Sequence, residues 1–223
     1  MTASTLALTA CFGDFPSASR PSGVNQQADP ADIAEPARHI DDVAIASLAN
    51  GASVALPAAP VQIHLAWAAS TAGRDLDLSV VLCGADGRAV SVDSLVFFNQ
   101  PVGADGTVRT VGRHRSSDAT STNTVAVDLP RVPAGIARLV VAVSVDGTGA
   151  ATLADVGDLR VVVTDARTAL ALYPVAGQSG ENAVEALELY RQDGEWSLRA
   201  VGKGWRTGLS GLAREYGIVV KGD

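Results

Sequence analysis

The chain has 223 residues, 47% hydrophobic and 18% charged, with aromatics at only 4%; it suits one large domain, or one domain with an appendage, built on an aliphatic core. A net charge of −7 argues against nucleic acid and anionic membrane surfaces, both of which recruit basic patches. No apolar run reaches the roughly 18 residues that a membrane helix needs, so no membrane span is expected.

Residues 1–46 differ from the rest. They are rich in Ser, Ala, Pro and Asp, and Pro16, Pro21, Pro30 and Pro36 break any long element. This segment reads as a low-order extension before a domain over 47–223. Leu8-Thr9-Ala10-Cys11 looks superficially like a lipoprotein cleavage box. No Lys or Arg precedes it and its apolar stretch is short, so a cytoplasmic location is expected. Two cysteines, Cys11 and Cys83, make no disulfide framework. Cys83 lies in a strand-like run and reads as a buried small hydrophobe.

From Ser47 short Val, Leu and Ile runs alternate with Gly, Asp and Asn turn signals. Leu48-Ala49-Asn50-Gly51 and Val54-Ala55-Leu56 read as two small strands about an Asn-Gly turn. Strand-like runs follow at 61–67, 77–83, 93–99, 107–112, 123–129, 137–145, 158–165 and 169–175. In VQIHLAW, alternation puts Val61, Ile63, Leu65 and Trp67 on one face and His64 on the other, towards the surface. Asp105-Gly106 and Asp146-Gly147 read as hairpin turns.

Near the end, ENAVEALELY (181–190) spaces Ala183, Val184, Leu187 and Tyr190 as a helix would, with acids in the first turns. A strand pair about Asp193-Gly194 comes next, then a short helix ending at Gly217 and a last strand. Trp196 and Trp205 read as packing residues, and Arg191 and Arg199 as partners of nearby acids. The fold class is mainly β: an antiparallel two-sheet β-sandwich with one or two short C-terminal helices.

Catalytic patterns are thin. There is no Gly-x-Ser-x-Gly, His-Glu-x-x-His, P-loop or dinucleotide-binding glycine pattern, and His39, His64 and His114 lie far apart. The reading is that the chain is not an enzyme. Oxygen donors are better represented. Asp75 and Asp77 in GRDLDLSVVLCG are two apart, so in extended chain they share a face. They can converge with Asn99 on a hard cation such as Ca²⁺, or else cap a turn or face water.

Several motifs resemble the TerD family, which comprises tellurium-resistance and general stress proteins. They are Leu48-x-x-Gly51-x-x-Val54-x-Leu56, Leu65-Ala66-Trp67, GRDLDLS, DSLVFFNQP, ELYRQDGEWSLRAVGKGW and GLSGLAREYGIVV. The resemblance spans roughly 47–220. It implies a sandwich that binds Ca²⁺ at acidic loops, has no catalytic residues and serves in resistance to tellurite and other stresses. By that pattern Asp75, Asp77, Asp93 and Asn99 are the metal candidates.

Departures are concentrated at the acidic edge. Ser79 stands at a third acidic position, Ala68 follows Trp67 in place of Asp, and Arg113-His114 replace an Asp-Asn pair. Only Asp118 is acidic between Ser116 and Thr124. Like charges about 4 Å apart repel by roughly 4 kcal/mol at a surface-like dielectric. The chain is therefore expected to bind Ca²⁺ weakly or not at all. The alternative is a metal-independent interaction or scaffold module that engages other proteins.

Overall fold

The aliphatic strands close into two sheets in the computed structural model, which describes residues 6–8, 45, 47–68, 76–115, 120–145, 152–176 and 179–220. In chain order the strands are β1 (Leu6–Leu8), β2 (Ser53–Ala55), β3 (Pro60–Ala68), β4 (Leu76–Cys83), β5 (Leu95–Val96), β6 (Val102–Gly103) and β7 (Val108–Arg115). Then come β8 (Thr120–Asp128), β9 (Arg138–Val145), β10 (Arg160–Thr164), β11 (Ala169–Pro174), β12 (Ala183–Gln192) and β13 (Glu195–Trp205). Helix α1 (Gly208–Glu215) and β14 (Ile218–Val220) end the order. The front sheet runs β11-β10-β3-β8-β7-β6 and the back sheet β2-β13-β12-β9-β4-β5, all antiparallel. The expected sandwich is present. Of the extension, β1 pairs in parallel with β14; Cys11 and most of 1–46 lie outside the described residues, as does Asp146-Gly147.

Alternation builds the core. Val61, Ile63, Leu65 and Trp67 of β3 and Val125 and Val127 of β8 face Leu76, Leu78, Val80 and Leu82 of β4 across the sandwich. Each fully buried side chain of this size is worth about 1.5–3 kcal/mol of transfer free energy. The back sheet is buried on its other face too. There Val81, Cys83, Val140 and Ala142 pack against Leu212, Ala213 and Ile218 of the C-terminal segment. Burial on both faces explains why β4 is buried at every position. It also leaves the Cys83 thiol, pushed up to about 12 chiefly by burial, a poor nucleophile.

Three local expectations need correction. ENAVEALELY is no helix but most of β12, buried from Ala183 through Leu189. With the core on one side and α1 on the other, this strand has no exposed face, and a bulge between Glu185 and Leu187 breaks its period further. Asn50-Gly51 does turn, with Gly51 at φ 83°, but the flanks do not pair with each other. Ser47 bridges Leu172 of the front sheet, whereas β2 pairs with β13 of the back sheet. DSLVFFN is mostly not strand: a 3₁₀ turn at Val92–Ser94 leads into the two residues of β5, then a tight turn closes between Phe97 and Gln100.

The readings after residue 192 hold. Asp193 and Gly194 take φ 53° and 86°, the left-handed pair that a two-residue hairpin needs. Helix α1 stops at Gly217, φ 87°, before β14.

His64 is not simply at the surface. Its ring sits half-buried on the front sheet between the hydroxyls of Thr124 (3.0 Å) and Thr164 (3.1 Å). Desolvation lowers its pKa below the ordinary 6.5. The unfolded chain therefore binds the proton more tightly. Stability should be full above about pH 6.5 and fall as pH drops towards the lowered folded value. His64→Gln is expected to flatten that slope in denaturant titrations run at successive pH values; an unchanged slope would assign it to other groups.

Candidate functional site

Residues of both sheets meet at one end of the sandwich. The register Ala68↔Thr120, Arg115↔Ser121 and Leu76↔Val145 brings the end of β3, both ends of the β7–β8 hairpin loop, the start of β4 and the end of β9 to this rim. Asp77 lies there, only 5% exposed, opposite Ser144 of β9. A buried carboxylate needs a counter-charge. Arg113 supplies it from the other sheet: its Nη2 donates to Asp77 Oδ1 at 2.6 Å. Arg113 pairs in register with Asn123 of β8, a buried residue whose Nδ2 donates to Leu76 O at 3.5 Å. An ion pair and a side-chain amide thus tie the start of β4 to the front sheet.

The other candidates separate. Asp75 and Asp118 lie outside the described residues. Asn99 is exposed in the turn before β6; the pairing Val80↔Val96 directs the chain after β5 back towards the Asp77 end. Asp93 goes the opposite way. It precedes β5, whose Leu95 pairs with Val81, and it lines a cleft of about 780 Å³ with Leu82, Val102 and Asp105. Asp77 and Leu82 are five positions apart along β4, about 17 Å at the strand rise. Asp93 and Asp77 therefore cannot share one cation.

Calcium needs six to eight oxygen ligands. Among the described residues no group of three or more His, Cys, Asp or Glu is placed to hold a metal. The buried carboxylate of Asp77 is met by a guanidinium, and Ser79, at a third acidic position, offers a fully buried Oγ with no hydrogen-bond partner. The described donor set does not fit a calcium site.

Buried charge is densest elsewhere, where sequence reading missed it. On the outer face of the back sheet Glu188 accepts from Arg138 Nη1 at 2.9 Å and from Arg199 Nη2. Glu185 accepts from the Tyr216 hydroxyl at 2.6 Å, and burial raises its pKa. Arg199 thus pairs with an acid as expected. Arg191 does not: it donates to Val132 O at 2.9 Å and lies 4.7 Å over the Trp196 ring. Reading β12 as a helix hid this cluster, because only the strand pairings Glu188↔Arg199 and Glu185↔Lys203 bring the charges together. Its groups are mutually satisfied, so it holds α1 and the hairpin in place.

The family model described as the TerD domain matches residues 45–216. The chain belongs to the TerD family. It is 32% identical over 186 residues to a tellurium resistance protein TerD of Serratia marcescens, covering 77% of this chain and 97% of that protein. It is 33% identical over 152 residues to general stress protein 16U of Bacillus subtilis (66% and 79% covered). A crystal structure of a TerD homologue from Streptomyces coelicolor superposes with a TM-score of 0.59 at 24% identity, over 72% of this chain and 98% of that one, and supports the fold. Among the described residues of this TerD-family chain, no helix is long and apolar enough to cross a membrane.

Proposed function

We propose that this chain is a non-catalytic, cytoplasmic stress-resistance protein of the TerD family, of the kind associated with tellurium resistance, that binds Ca²⁺ weakly or not at all. One observation carries the reading: the Arg113–Asp77 pair puts a fixed cation of the protein's own at the acidic rim. A divalent ion entering there must displace or tolerate a guanidinium, at a cost of several kcal/mol by Coulomb's law at surface-like dielectric. The relatives named for stress and tellurium resistance support the physiological role. The related reading, a metal-independent module that engages other proteins through its surface, is favoured by the outer edge of β7 beside that pair, where among the described residues β6 pairs only with Val108 and Arg109.

Calorimetric titration of chelator-stripped protein, with melting curves in millimolar Ca²⁺, tests the calcium part. A flat titration and an unmoved midpoint are expected. Saturable binding with a rise in melting temperature, as linkage demands of a ligand of the native state, would overturn it.

A further inference from the structure

A cleft of about 780 Å³ opens at the end of the sandwich away from Asp77, between the turn before β5, the β6–β7 turn and the loop that leads into β9. Ligand sites commonly span about 300–1,000 Å³ and are mostly apolar, with a few placed polar groups. Leu82, Val90, Val102, Pro133 and Ile136 supply apolar wall here, and Val90 and Val102 stand 47% and 55% exposed. Among the described residues the charged side chains lining the cleft are Asp93 and Asp105 alone. Neither carboxylate is hydrogen-bonded or ion-paired to a described residue.

Both carboxylates ride on turns fixed from within. Ser91 and Ser94 cap the Val92–Ser94 turn reciprocally: Ser91 N donates to Ser94 Oγ at 2.8 Å and Asp93 N to Ser91 Oγ at 3.2 Å. Gln100 Nε2 donates to Asp93 O at 2.8 Å. Thr107 donates through N (3.0 Å) and Oγ1 (2.7 Å) to Ala104 O, which closes the turn that carries Asp105. Gly103 seats β6 against β5, since a Cβ there would lie 2.5 Å from Val96 Cγ2.

Such a lining selects its occupant by charge and shape. An anion would meet two carboxylates and no cation. An uncharged apolar body would strip water from the carboxylates and leave them unpaired, which costs free energy. A hard metal ion asks for about six to eight oxygens, and aliphatic walls give none. An organic cation suits both kinds of wall, its stem on the apolar surface and its head on a carboxylate, as long cationic side chains lie on proteins. We propose that this cleft binds a small aliphatic diamine in its doubly protonated form, one ammonium group on Asp93 and the other on Asp105. The net charge of −7 draws such dications in. The site is separate from the Asp77 rim, so it stands whether or not that rim takes calcium.

The test titrates the full chain with putrescine, butylamine, butanol and Mg²⁺ at low salt and follows backbone amides by NMR. Putrescine should shift the amides of 93–94 and 102–106 saturably. It should bind about fivefold more tightly than butylamine, the most that one further exposed ion pair adds, and lose that margin at high salt. Asp93→Asn and Asp105→Asn should each bring putrescine down to the butylamine level with melting unchanged; at Asp105, φ 54°, Asn tolerates the left-handed backbone as Asp does. The comparison of probes on the wild type stands even if a variant melts early. No saturable shift at the cleft, equal affinity for the two amines, or indifference to both substitutions overturns the proposal. So does a butanol response as strong as putrescine's, which would make the cleft merely apolar, or a stronger Mg²⁺ response, which would make it a metal site.

Discussion

Arg113→Ala is expected to destabilise the domain by about 2–3 kcal/mol. Removing one partner of a buried ion pair typically costs about 3–5 kcal/mol because the other charge is stranded. Asp77 would lose its guanidinium partner, and the Arg113 side chain is 34% exposed, so solvent near the pair lowers the figure. For a domain of this size the loss is roughly 5–10 °C in melting temperature. Arg113→Ala combined with Asp77→Asn should recover most of it, because the double variant removes the buried charge along with its counter-charge. A single variant that melts like wild type would show that the pair does not hold the two sheets. The same variant sharpens the calcium reading. With the fixed cation gone, millimolar Ca²⁺ should raise its midpoint more than it raises the wild type's.

Trp196→Ala is expected to cost more, about 3–5 kcal/mol, the range for truncating a large buried aromatic. Trp196 is 6% exposed, donates through Nε1 to Leu129 O at 3.2 Å and carries the Arg191 guanidinium on its face. Its removal strips β13 of its anchor to the turn after β8 and leaves Arg191 without its platform. Trp205 is the control. It is only half-buried and donates to Glu215 of α1 at 3.0 Å, so Trp205→Ala should cost clearly less in a denaturant melt. Equal costs would mean that the core is not concentrated around Trp196.

Where burial is one-sided, the fold is legible in the sequence. β3 alternates because only one of its faces meets the core, and the Asp193-Gly194 turn announces itself by its residue types. β12 is misread for the opposite reason. Covered on both faces, it carries Glu, Ala and Leu in a spacing that also fits a helix, and long-range pairing with β9 and β13 overrides that local preference. At the rim, the residue types suggest a clash of arginine with the acidic edge. That Arg113 in particular reaches Asp77 follows only from the way two strands of different sheets converge. The separation of Asp93 from Asp77 is likewise invisible until the direction of β5 against β4 is known.

The turn at Asn50-Gly51 has a kinetic consequence. Its two flanks join opposite sheets, and the Tyr173 hydroxyl donates to Asn50 Oδ1 across 123 residues of chain at 2.7 Å. A Cβ at Gly202 would lie 2.5 Å from both the Asn50 amide and that hydroxyl, and the φ of 74° there also favours glycine, so a side chain at this position would disturb the contact. Contacts of such sequence separation repay their loop-closure entropy only after the intervening strands are in place. The turn is thus a late-fastening clasp. Loosening it should leave the folding rate nearly unchanged and speed unfolding, so the lifetime of the folded sandwich is set in part by residues that its folding nucleus does not use.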